Sequence, residues 1–316
     1  MNRHRPLSPE RIADAARVID PVFLNSPLIE QPTANAAFGL RVLAKVETLN
    51  PIRSFKGRGA EFWMAGQAGG QAPVVAASAG NFGQGLAWAA TRRERQATIF
   101  AAETANPRKV AAMRRLGAEV RLQGADFDAA KAFARAFAAD QGLVFVEDGD
   151  DPLIAEGAGT IAKEIVEQAG ERAVALDALV VPLGNGALLT GMGTWMRHAL
   201  PSCRVVGVVA AGAPAMKRSW ELGRPQPTES AATIADGIAV REPVAYALAC
   251  MRDCVDEVVA VDEPAIEAAV AFCREHYGLI VEPAGAAGVA GLLQHGGLFR
   301  DRTVATVLCG GNVATL

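Results

Sequence analysis

Asn50-Pro51-Ile52-Arg53-Ser54-Phe55-Lys56-Gly57-Arg58-Gly59-Ala60 follows an apolar, strand-like run from Val42 to Leu49. Lys56 stands there beside an aromatic ring and small residues. Apolar surroundings disfavour the charge of a lysine and make its neutral, nucleophilic amine accessible. Such an amine condenses with an aldehyde to a Schiff base. The glycines after it let backbone approach a ligand or start a helix tightly. A second reading stands beside this one: a surface-loop lysine ahead of an ordinary helix. The surrounding chain has to choose between them.

Upstream, Ser8-Pro9 starts a helix and Ser26-Pro27-Leu28 breaks the chain. Downstream, apolar strands at 73–77, 97–102, 119–122 and 143–146 alternate with helices at 59–68, 84–92, 107–116 and 126–140. Gly69-Gly70 closes the first of these helices. Further strands are expected at 178–182, 204–210, 257–261 and 303–308, with helices at 160–168, 188–198, 243–250 and 263–276. Residues 218–230 read as an exposed loop, and Glu282 opens a small-residue helix. This alternation predicts parallel βαβ units, and the units before about residue 145 and after about residue 175 form separate sheets in two lobes.

Composition narrows the function. The chain has 316 residues, 51% hydrophobic, and a formal charge of −3, so no basic face for nucleic acid is expected. No apolar run reaches the ~18 residues that span a bilayer. Met1 to Ile12 is polar and basic, unlike a secretory signal. The five cysteines have no framework spacing and read as reduced thiols of a cytoplasmic protein. Cys250 and Cys254 have no partner residues for a metal, and no metal site is expected.

In open parallel sheets, ligands bind at the carboxyl ends of strands. Four small-residue loops fall there. Ser78-Ala79-Gly80-Asn81-Phe82 can offer N–H groups, a hydroxyl and an amide to an anion, or is a plain turn. Gly184-Asn185-Gly186-Ala187-Leu188 joins an apolar strand to a helix, as a phosphate cradle or a tight turn. It lacks the P-loop lysine and the dinucleotide fingerprint. Asp236-Gly237-Ile238-Ala239 and Leu308-Cys309-Gly310-Gly311-Asn312 complete the set.

Taken in order, these loops resemble the fold type II pyridoxal 5′-phosphate (PLP) enzymes, most closely the serine/threonine dehydratases. Ser54 to Ala60, Ser78 to Asn81, Gly157-Ala158-Gly159-Thr160, residues 184–188, Ala235 to Ala239, Glu282-Pro283-Ala284-Gly285-Ala286 and Gly310-Gly311-Asn312 carry the likeness over nearly the whole chain. The resemblance implies an α/β, tryptophan synthase β-like fold of two lobes, each a twisted and mostly parallel sheet flanked by helices. Residues 1–47 plus 146–316 would form a large cofactor-binding domain, and 48–145 a small mobile one. Lys56 would hold PLP as a Schiff base and serve as the catalytic base, flanked by Phe55. Asn81 would bond the ring hydroxyl, residues 184–188 the phosphate, and Gly237 and Cys309 the rest of the cofactor, with Cys309 against the pyridine nitrogen. Ser78, Ala79, Gly80, Asn81, Phe82 and Glu282 would bind substrate. A homodimer acting on a small-molecule amino acid is implied.

A neutral thiol at the ring nitrogen disfavours a long-lived carbanion and favours elimination. In the related serine racemases a serine stands where this chain has Ala79, and alanine has no proton to give. The expected reaction is therefore dehydration and deamination of L-threonine or L-serine to a 2-oxo acid and ammonia. The alternatives are β-replacement, racemisation, a bulkier or acidic hydroxy amino acid, or a catalytically silent PLP-binding protein. The chain also departs from the pattern. Asn185 and Ala187 replace phosphate-loop glycines, Phe82 and Ala158 make the pocket more apolar, and Val209 replaces a cation ligand. Arg53, a planar fork suited to a carboxylate, is expected either to read a second acid on substrate or to lie at the surface.

Overall fold

The computed structural model describes residues 5–67, 70 and 72–313. The expected signal-free start at Met1 to His4 and the helix end at Ala68-Gly69 fall outside these residues. The chain runs α1 (Pro9–Val18), β1 (Leu28–Ile29), α2 (Pro32–Phe38), β2 (Arg41–Val46), α3 (Lys56–Gly66), β3 (Val74–Ala77), α4 (Asn81–Thr91), β4 (Ala97–Ala101), α5 (Pro107–Arg115), β5 (Glu119–Leu122), α6 (Phe127–Asp140) and β6 (Val144–Val146). It continues α7 (Pro152–Glu171), β7 (Ala178–Pro182), α8 (Ala187–Ala199), β8 (Arg204–Ala210), α9 (Ala215–Leu222), α10 (Ala245–Cys254), β9 (Glu257–Val261), α11 (Glu263–Tyr277), α12 (Pro283–His295) and β10 (Thr303–Leu308).

The strands form two sheets, a six-stranded one ordered β1-β2-β10-β7-β8-β9 and a four-stranded one ordered β5-β4-β3-β6. Among the described residues, these strands all pair in parallel except β1 on β2. The inner strands are apolar on both faces because helices cover both: β7, Ala-Leu-Val-Val-Pro, is buried at every position. The last strand lies centrally, pairing with β2 from Thr303↔Arg41 to Leu308↔Val46 and with β7 on its other side. The carboxyl ends of β2, β10 and β7 therefore lie side by side, and three of the loops singled out above start there.

Two features hold the Lys56 helix in place. Glycines let α3, α7 and α8 meet backbone to backbone. A Cβ at Gly157 would stand 2.6 Å from the Arg58 carbonyl oxygen, and one at Gly191 only 1.9 Å from that of Ala155. Beneath the helix, fully buried Arg58 pairs with Glu47 (2.8 Å) and Glu164 (2.7 Å), and Lys45 pairs with Glu164 (2.7 Å). Burial opposes the Arg58 charge, but Glu47 and Glu164 overcome it and hold the guanidinium above its ordinary value.

Three expectations are corrected. Residues 218–222 are not loop but the end of α9, and Gly223 at φ +66° is its left-handed stop. The helix expected at 160–168 starts at Pro152, so Gly157-Ala158-Gly159-Thr160 lies buried within α7. The Lys56 helix begins at Lys56 itself, three residues before the expected Gly59.

Candidate active site

Lys56 is the first residue of α3, and its backbone is fixed from both sides. Its N–H donates to Ser54 Oγ (3.2 Å), and the N–H of Phe55 donates to the Cys309 carbonyl (3.0 Å). Ser54 bridges Gly310, and Gly311 N–H donates to Arg53 O (2.9 Å). The loop after β2 is thus laced to the loop after β10, which brings Lys56 next to Cys309. The Lys56 ammonium lies 4.6 Å from the centre of the Phe55 ring and pairs with Asp148.

These groups open on a cleft of about 580 Å³ between the carboxyl edges of the two sheets. Phe55, Lys56, Ser78, Ala79, Gly80, Asn81 and Phe82 line one side. Gly184, Asn185, Gly186, Leu188, Gly237, Glu282 and Cys309 line the other. Two expected residues are not in this lining. Ala187 points its N–H at Asn185 Oδ1 (3.2 Å) and is buried in the core. Arg53 is exposed outside the cleft at φ +52°, its carbonyl used by Gly311. The structure does not bring Arg53 to where a substrate acid would lie.

The anion-binding features have specific geometry. Ser78 Oγ accepts from the N–H groups of Gly80 (3.2 Å) and Gly83 (2.9 Å), so the hydroxyl shapes the loop at the start of α4. Gly186 adopts φ +102° as the N-cap of α8 and brings no side chain of its own, while Asn185 Oδ1 takes the first N–H of the helix, that of Ala187. A Cβ at Gly184 would stand 2.9 Å from Gly237 O, and one at Gly186 would stand 2.6 Å from Ala247 Cβ. Only glycine fits these two places, and a tight turn into a helix start with the helix dipole behind it suits a phosphate.

The polar centre is a chain of amides and a carboxyl. Asn81 Nδ2 donates to Glu282 Oε1 (2.5 Å), and Asn81 Oδ1 accepts from Asn312 Nδ2 (2.9 Å). Asn312 also donates to Ile52 O (2.8 Å). Burial, helped by Asp236 and opposed by Lys109 and Asn81, pushes Glu282 up to about 7. Burial, with Glu282 and Glu47 adding to it, holds the Cys309 thiol well above its ordinary value, so it stays neutral. Its Sγ donates to Val307 O (3.5 Å).

Sequence reasoning missed Asp148, as well as Lys109, Lys131 and Arg241, which also line the cleft. Asp148 had a usable signal: it stands just past the carboxyl end of β6, where the strand-end rule directs attention. The others lie on helices or in an irregular segment, and only the fold gathers them.

A primary amine in the cleft, a glycine cradle at a helix start and a neutral thiol fit a PLP group: Lys56 would take its aldehyde and residues 184–188 would take its phosphate. Comparison with known proteins agrees. The pyridoxal-phosphate dependent enzyme family matches residues 19–310. An L-threonine ammonia-lyase of Geobacter sulfurreducens is 37% identical over 291 residues, covering 90% of this chain and 71% of that one. One from Thermotoga maritima is 36% identical, covering 96% and 75%. Among solved structures, a T.th. threonine deaminase superposes with TM-score 0.91 at 33% identity, covering 96% of this chain and 98% of that one. Maize serine racemase follows at TM-score 0.90 and 26% identity, covering 98% and 94%. With most of its length matched and its cleft fitted to the cofactor, the chain belongs to the pyridoxal-phosphate-dependent enzymes, in the threonine ammonia-lyase family.

Proposed function

We propose that this enzyme dehydrates and deaminates L-threonine, and L-serine as a second substrate, to a 2-oxo acid and ammonia. The observation that carries the reading is Lys56 and a neutral Cys309 lining one cleft, with Ala79 on the substrate loop. PLP, when bound, supplies the electron sink that makes the substrate Cα–H acidic. Lys56 would hold it, with residues 184–188 at its phosphate and Asn81 at its ring hydroxyl. The N–H groups of the Ser78–Phe82 loop orient the substrate carboxylate. The Lys56 amine takes the Cα proton. Cys309, neutral and unable to hold a second proton as a carboxylate would, favours loss of the β-hydroxyl in step with that proton. Phe55 and Phe82 make the walls apolar and keep water from the reacting carbon. Ala79 carries no proton, so Cα receives none from that position, which separates this chain from a racemase. The reading includes a homodimer in the cytoplasm, to be checked by sedimentation and fractionation.

Purified protein given threonine or serine should release ammonia and 2-oxo acid in equal amounts, and Lys56→Ala should lower kcat by about a thousandfold or more. Retention of the amino group in the product, or 2-oxo acid formation by Lys56→Ala at the wild-type rate, overturns the reading.

A further inference from the structure

We propose that Asp148 is the positioning residue of Lys56: as its counter-charge it holds the ammonium and aims it into the cleft. The proposal rests on the reading of Lys56 as the cofactor-holding amine. Lys56 Nζ donates to Asp148 Oδ2, and both side chains are largely removed from solvent, at 14% and 16% exposure. The pair is therefore weakly screened compared with a surface pair.

Several other charges around the cleft are engaged elsewhere, Asp126 by capping the start of α6. Lys109 pairs with Asp236, Arg241 with Asp128, and Lys131 with Glu147. Glu282 is bonded to Asn81, and Cys309 is a neutral thiol. Asp148 is thus the carboxylate that faces Lys56. Its second oxygen, Oδ1, is buried with no hydrogen-bond partner among the described residues. The carboxylate therefore has acceptor capacity that no other protein group claims.

The loop is built to present this side chain. Neighbouring Glu147 is held by Lys131 and Arg135 instead. Asp150 N–H closes back on the Glu147 carbonyl (3.3 Å). Gly149 then takes φ +93°, where a Cβ would stand 2.9 Å from Asn185 Cγ. The Asp148 loop leans on the phosphate-cradle loop, so the amine and the cradle are registered to each other through it.

Phe55, 4.6 Å from the ammonium at its ring centre, and Asp148 beside it together fix the direction of the amine.

The test uses the full chain stripped of cofactor, with reductive methylation by formaldehyde followed at single lysines by mass spectrometry. Asp148→Asn removes the counter-charge, so Lys56 should be methylated about tenfold faster at neutral pH. Asp148→Glu should restore the wild-type rate, and Lys109 and Lys131 should not change in either variant. In the holoenzyme, Asp148→Asn should lower kcat about tenfold with KM little moved. An unchanged Lys56 rate in Asp148→Asn, equal increases at Lys109 and Lys131, or an effect on KM alone overturns the proposal. The methylation result stands whichever amino acid the enzyme consumes, so failure of the threonine reading is distinguishable from failure of this one.

Discussion

Among single residues, Glu282 has the clearest consequence outside turnover. It stands at the start of α12 on the floor of the cleft, accepts from Asn81, and leaves Oε2 buried without a hydrogen-bond partner among the described residues. Burial first, then Asp236, raises it from 4.5 to about 7. The folded chain therefore binds this proton more tightly than the unfolded chain. Between those two values the folded state carries the extra proton, so stability falls as pH rises through the window and is flat above it. The whole fall from this group is roughly 3 kcal/mol at most. Glu282→Gln keeps an acceptor for Asn81 and cannot ionise. Urea unfolding at pH ~5 and ~8 should show the variant losing less stability than wild type over that span. Equal pH dependence of the two proteins would mean that Glu282 titrates in its ordinary range. A protonated Glu282 also lets Asn81 keep its amide aimed at the cleft without an added buried charge.

At the scale of elements, the three-helix junction under Lys56 depends on missing side chains. Gly191→Ala would drive a Cβ into the Ala155 carbonyl at 1.9 Å, and because the obstacle is backbone, α7 and α8 must part. We expect a loss of about 3 kcal/mol or more, read as a lowered urea midpoint. Gly170→Ala, near the end of α7 with nothing within 4 Å, should instead gain up to about 0.5–1 kcal/mol. The same junction shows what the sequence made legible. The buried strands were readable because parallel strands covered on both faces are apolar throughout, as in Ala178 to Pro182. The small residues at 157–160 looked like a loop because their reason, close approach to Arg58 and Gly191 on other helices, is tertiary. The turn residues from Gly223 onward suggested a loop over 218–230, yet Gly223 is the left-handed stop of α9. Strand-end loops were found by one rule, and Asp148 escaped because its partner lies 92 residues away in sequence. Arg53 looked suited to a ligand by chemistry alone, and it is exposed and does not line the cleft.

Across the whole molecule, the cleft lies between a six-stranded and a four-stranded sheet, and two ion pairs cross its mouth. Lys109 on α5 meets Asp236, and Asp128 on α6 meets Arg241. Asp236 and Arg241 lie on the segment between β8 and α10, which belongs to the larger sheet's side, whereas α5 and α6 pack on the smaller sheet. Arg241 and Asp128 are 39% and 38% exposed, so salt screens their attraction and the pair is worth at most about 1 kcal/mol. A contribution of that size is too small to decide the fold but large enough to bias a cleft between closed and open forms. If the pairs hold the cleft closed over substrate, raising ionic strength should raise KM by about two- to threefold while leaving kcat within that factor. Removing one of the two clasps by Arg241→Met should raise KM at low salt part of the way to the wild-type high-salt value and lessen its further dependence on salt. The double variant Asp128→Asn with Arg241→Met should add little beyond either single change, because both remove the same pair. A variant whose KM keeps the full salt dependence of wild type would place the screening elsewhere, on the anionic substrate meeting the cradle and the Ser78 loop, and would leave the Arg241–Asp128 pair with no part in closure.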